Sequence, residues 1–87
     1  MRMLRYYFMS PTVFRAQGYR FYFFSLEEKR AHVHVKGAEG DAKFWLEPAI
    51  ELAMQHGLSS HRVSEIRRLV EEHQNEIRDA WRQHLGT

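Results

Sequence analysis

The chain has 87 residues, 44% of them hydrophobic and 28% charged, enough for one hydrophobic core and too few for two. It contains no cysteine, which excludes disulfides and thiolate-held zinc, and no apolar run approaches the length of a membrane span. The net charge of +2 is unevenly spread: residues 1–36 carry seven Lys or Arg against two Glu, residues 37–58 carry Lys43 against Glu39, Asp41, Glu47 and Glu51, and the rest is neutral.

The apolar stretch in residues 1–9 is too short and interrupted for a signal peptide. Residues 1–10 read as an N-terminal extension, Met9-Ser10-Pro11 as a candidate translation start, and residues 11–87 as a single domain. Residues 11–15 predict a short strand, Gln17-Gly18 a two-residue turn, and the aromatic-rich residues 19–25 a second strand. After the charged connection Glu27–Arg30, residues 31–36 alternate with strand period. Gly37–Gly40 is a four-residue turn, residues 41–46 are the return strand, and Pro48 ends it or marks an edge. Residues 49–55 suit a helix by composition, but Ile50, Leu52 and Met54 alternate, and Pro48 and Gly57 leave little room for a helix. They are read as a fifth strand.

From Ser59 or Ser60, a plausible N-cap, the period becomes helical. Val63, Ile66, Leu69, Val70, His73, Ile77, Trp81 and Leu85 form one stripe, closed by Gly86. This predicts one amphipathic helix, or two broken near His73–Asn75, covering one side of the sheet. Arg67, Arg68, Glu71, Glu72, Arg78 and Arg82 should face mainly outward, and His73 should pack within the stripe. The fold class is therefore α+β: a small antiparallel sheet of four to five strands, built from two hairpins, packed against a C-terminal helix or helix pair.

The turn lengths set the register of each hairpin. A four-residue turn opposes Lys36 to Asp41, His34 to Lys43 and His32 to Trp45, with all six side chains on one face and Val33, Val35, Ala42, Phe44 and Leu46 on the apolar one. A one-residue slip would set valines against lysines. A two-residue turn at Gln17-Gly18 opposes Arg15 to Arg20 and Phe14 to Phe21, so that Tyr22 shares the face of the arginines. If the two hairpins are neighbours in one sheet, Arg15, Arg20, Tyr22, His32, His34 and Lys43 share a surface.

Three readings of that surface stand side by side. It can act on RNA without a metal or cofactor: an imidazole takes the 2′-hydroxyl proton, a second group protonates the leaving oxygen, Arg and Lys offset phosphate charge, and aromatic rings stack on bases. It can chelate a metal, since His-x-His sets two imidazoles on one side, with Asp41, Glu47 or His56 as third ligand; Lys43 opposes that charge. Or the histidines simply pack beneath a loop.

The ordered series Pro11-Thr12-Val13-Phe14-Arg15, Gly18-Tyr19-Arg20-Phe21-Tyr22-Phe23, His32-Val33-His34-Val35, Ala42-Lys43-Phe44-Trp45-Leu46-Glu47-Pro48 and Arg67-Arg68-Leu69-Val70-Glu71-Glu72-His73 with Trp81 resembles the bacterial domain-of-unknown-function family 4160. The resemblance runs from about Pro11 to Gly86. It implies a small bacterial cytoplasmic protein, the toxin-like member of a type II toxin–antitoxin module. An antitoxin-like protein of family 2442, encoded by a neighbouring gene, would be its partner. His32, His34, Lys43, Trp45 and Glu47 match the family motifs. The expectations are therefore an RNA-directed toxin-like protein, an endoribonuclease in its catalytic form, with His32, His34, Lys43, Arg15, Arg20 and Tyr22 as catalytic candidates. Lys36, Trp45 and Glu47 are binding candidates. The alternatives are a non-enzymatic module binding a partner protein or a second copy of the chain, and a metal-binding domain.

Overall fold

The computed structural model describes residues 11–24 and 28–84, in which five strands precede two helices. The readings of the N-terminal extension, Met9, Leu85 and Gly86 lie outside the described residues. The strands are β1 (Thr12–Ala16), β2 (Tyr19–Tyr22), β3 (His32–Lys36), β4 (Asp41–Trp45) and β5 (Glu51–His56), and the helices are α1 (Ser60–Glu72) and α2 (Gln74–His84). The sheet is an antiparallel meander in the order β1-β2-β3-β4-β5, so each strand pairs with its neighbour in sequence.

Both hairpins adopt the register set by their turns. Arg15 lies opposite Arg20 and Phe14 opposite Phe21, with Gln17 at φ 52° and Gly18 at φ 86°, the positive-φ pair of a type I′ turn. Lys36 faces Asp41, His34 faces Lys43 and His32 faces Trp45, and Gly37 N–H closes the turn on Gly40 O at 2.9 Å. β2 and β3 pair as well, with Arg20 opposite Lys36 and Tyr22 opposite His34, so the two hairpins are one sheet.

The fifth strand forms, but its alternation is broken. Lys43 faces Met54 while the next residue, Phe44, faces Leu52, leaving Ala53 as a bulge. The bulge reverses the side-chain parity, so Leu52 lies on the helix side of the sheet with Phe44, and Met54 on the opposite side with Lys43. Ile50, Leu52 and Met54 are therefore not one apolar row.

The helices cover the face formed by Phe21, Val33, Val35, Ala42 and Phe44, and Ile66, Leu69, Val70, Ile77 and Trp81 complete the core. Ser59 caps α1 by accepting from Arg62 N at 3.2 Å. The helix breaks at His73, whose ring stacks on Phe14 at 4.2 Å, so this histidine packs within the stripe. Two arginines expected to face solvent instead reach the sheet. Arg67 donates to Ile50 O at 3.2 Å, and Arg78 donates to Leu46 O at 2.6 Å and to the Glu47 carboxylate at 2.9 Å. They tie the chain between β4 and β5 to the helices, satisfying carbonyls that leave the ladder there.

Candidate functional site

The face opposite the helical layer, covered at its His32 end by Trp81 of α2, is organised as cross-strand rows. One row runs Arg15, Arg20, Lys36, Asp41, His56 from β1 to β5; the next runs Thr12, Tyr22, His34, Lys43, Met54; a third holds His32, Trp45 and Glu51. Adjacent strands are about 4.8 Å apart, so side chains within a row touch their neighbours. The first row has three cations side by side at its β1 end. Such repulsion is tolerated because Arg15 and Lys36 are exposed, while Arg20 donates to Thr12 Oγ1 at 2.7 Å and lies 4.5 Å above the Tyr22 ring.

The middle row forms the floor of a groove of about 170 Å³. Tyr22, His34 and Lys43 line it together with Phe24, Asp41, Met54 and His56. The Tyr22 and His34 rings stack at 5.5 Å, and Phe24 leans on His34 at 4.4 Å. Phe24 and Met54 remain 45% and 48% exposed, so apolar surface here faces solvent. His56 lies at the far wall, its Nδ1 3.6 Å from Asp41 Oδ1.

Lys43 is held between an acid and a ring. Its ammonium pairs with Glu28 and lies 4.4 Å from the Trp45 centroid. Arg30 covers Trp45 too, 4.1 Å from its centroid, while donating to Glu47 O at 3.0 Å. Trp45 is thus flanked by two cations. The hydrogen bond from Lys43 holds the Glu28 carboxyl below its ordinary range; burial opposes this, and the charges of Lys43, His32 and His34 add to it.

The sequence candidates separate on this geometry. His34, Lys43, Trp45 and Arg20 are half-buried on the face, Tyr22 is buried in its floor, and Arg15 and Lys36 are exposed. His32 belongs to the same face by register but is fully buried. Trp81 of α2 lies 4.9 Å from its ring, with His34 and Trp45 at 5.0 and 5.7 Å, and its Nδ1–H donates to Arg30 O at 2.6 Å. Glu47 is apart from the groove, engaged by Arg78. Among the described residues no group of three or more His, Asp or Glu side chains is placed to hold a metal ion, so the His-x-His pair acquires no third ligand there.

Four groups escaped the sequence reading of this site: Phe24, Glu28, Arg30 and Met54. Phe24 was legible, since it shares parity with Arg20 and Tyr22. Met54 was hidden by the bulge. His56 drew notice only as a metal ligand, because the same bulge sets it, rather than Gln55, opposite Asp41.

No curated protein and no solved structure is significantly similar to the chain. No helix among the described residues is long and apolar enough to cross a membrane. A family model described as Domain of unknown function (DUF4160) matches residues 18–82, from the first turn glycine through β2 to Arg82 of α2, and therefore includes every wall of the groove. The chain belongs to the DUF4160 family.

Proposed function

We propose that this chain is the toxin-like component of a bacterial two-protein module and that its open sheet face acts on single-stranded RNA. The observation that carries this reading is the pair of adjacent rows: Arg15, Arg20 and Lys36 beside Tyr22, His34 and Lys43. A cationic track next to aromatic rings is what unpaired RNA requires, charge for the phosphates and flat surfaces for the bases. Base stacking on an aromatic ring contributes roughly 1–3 kcal/mol per base, and the exposed Phe24 offers such a surface. In the catalytic form of the reading, His34 moves a proton and Lys43 offsets phosphate charge, without a cofactor.

The test combines purified protein with an unstructured RNA oligonucleotide and measures both binding and cleavage, alongside growth on expression in bacteria. The reading expects RNA binding, and loss of growth inhibition in His34→Ala. Protein that binds no RNA sinks the RNA reading. Growth inhibition that survives His34→Ala, with no RNA cleaved, sinks its catalytic form.

A second reading, a non-enzymatic interaction module, is favoured by β5. This edge strand exposes nearly every residue, including Leu52 and Met54 on opposite sides. An antitoxin-like partner of family 2442 could add a strand there. Mixing the two proteins, with Leu52→Lys as the disrupting variant, tests it; a complex unaffected by that substitution would exclude β5 as the contact.

A further inference from the structure

We propose that His56, oriented by Asp41, is a second proton-transfer group of this face and works with His34 across the groove on one RNA phosphodiester. The proposal rests on the RNA reading and assigns its acid/base pair. His32 is a catalytic candidate beside His34 in the sequence, but it is fully buried and its ring centroid is only 5.0 Å from that of His34. In-line displacement at phosphorus sets the attacking and leaving oxygens on opposite sides. The groups serving them must flank the phosphate, which two adjacent imidazoles cannot do.

His34 and His56 do flank a space. They line the same groove from β3 and β5, the two neighbours of β4, whose backbones are roughly 9–10 Å apart. On β4, Lys43 stands beside His34 and Asp41 beside His56, and both line the groove.

His56 is also held. A Cβ on Gly40 would stand 1.9 Å from His56 O, so the backbone of the β3–β4 turn lies directly against the end of β5. Only glycine permits that approach. It sets the backbone of His56 beside Asp41, whose Oδ1 is 3.6 Å from Nδ1. The two side chains are exposed and within ion-pair reach; in the proposed scheme the carboxylate closes on Nδ1 when substrate binds and leaves Nε2 for the substrate, as a third group orients a base. Asp41 is a positioning residue in this scheme.

In the step itself, one imidazole removes the 2′-hydroxyl proton as the 2′-oxygen bonds to phosphorus. The bond from phosphorus to the 5′-oxygen breaks, and the other histidine, entering as imidazolium, gives that oxygen a proton. The products are a 2′,3′-cyclic phosphate and a 5′-hydroxyl end. Lys43 faces the negative charge that grows on the phosphoryl oxygens.

The test measures steady-state cleavage of a single-stranded RNA, product ends and equilibrium RNA binding for the wild type, His34→Ala, His56→Ala, His56→Gln, Asp41→Asn and Asp41→Glu. Both alanine variants should lose about 10²- to 10⁴-fold in kcat, the usual share of a general acid or base, with binding within about threefold. Asp41→Asn should lower kcat with KM unchanged, and Asp41→Glu should recover part of it. The same RNA with a 2′-deoxy sugar at the scissile position should not be cut. His56→Gln guards against a folding defect in the alanine variant: a folded His56→Gln protein that cleaves at the wild-type rate overturns the proposal. If His34→Ala is then inactive, the RNA reading survives with a different partner for His34. Wild-type protein that binds RNA and cleaves none overturns the acid/base pair and leaves a binding face.

Discussion

The ammonium of Lys43 has two neighbours of opposite kinds, the Glu28 carboxylate and the Trp45 ring. The Lys43 side chain is 15% exposed and Glu28 is 57% exposed, so the acid covers the base and, if the face binds RNA as proposed, competes with phosphate for it. Glu28 titrates below its ordinary value because Lys43 favours its charged form. Its folded-state value is thus the lower one. The ion pair contributes fully above the unfolded-state pKa and is lost as pH falls through the folded-state pKa. At neutral pH a phosphate must displace a charged carboxylate. Glu28→Gln should therefore raise RNA affinity by about two- to fivefold, the scale of an exposed ion pair, and fluorescence anisotropy at fixed salt would show it. Unchanged or weaker binding would mean that Lys43 does not meet phosphate. His32 predicts the reverse kind of outcome. It fills core space against Trp81 and satisfies Arg30 O, so His32→Ala should cost roughly 2–4 kcal/mol in urea unfolding, comparable to emptying a buried aliphatic position. Any loss of activity in that variant should track its loss of fold.

Among the elements, the contact between the β3–β4 turn and the end of β5 decides whether His56 reaches the groove. At Gly40 a methyl group would meet the backbone of His56, which no rotamer change relieves. Gly40→Ala should destabilise by roughly 2–3 kcal/mol, as strain at a constrained backbone position does, and it should push His56 away from Asp41. Gly18 is a contrast: a Cβ there meets nothing within 4 Å, so Gly18→Asn carries only the strain of a positive φ, which asparagine bears better than most residues, and should cost less than Gly40→Ala. The difference shows how far local pattern carries. Both hairpin registers follow from turn length and alternation, the second also because a slip would set valines against lysines, and the fifth strand follows from the lack of room between Pro48 and Gly57. The pairing of β2 with β3 does not follow from either hairpin alone. Nor does the bulge at Ala53, which is fixed by pairing to β4. The burial of His32 depends on Trp81, far along the chain, and no periodicity within β3 announces it. Legibility ended where contacts between distant elements began.

For the molecule as a whole, a net charge of +2 is too small to attract RNA by itself. What matters is placement. The meander brings Arg15, Arg20 and Lys36 into one row on three adjacent strands, while Glu39, Glu47 and Glu65 are engaged elsewhere, by Arg62, Arg78 and Tyr19. A single strand of RNA laid along that row would meet up to three cations. Each phosphate neutralised on a single strand contributes about −0.7 to the slope of log affinity against log salt. Three contacts predict a slope near −2, and Arg15→Ala, Arg20→Ala and Lys36→Ala should each flatten it by about 0.7 while weakening binding to all sequences alike. Arg20 also packs on Tyr22, so its variant should lose some salt-independent affinity too, which Arg15→Ala and Lys36→Ala should not. A salt titration of the four proteins on one oligonucleotide separates these outcomes. A slope that none of the three substitutions changes would show that RNA does not follow this row.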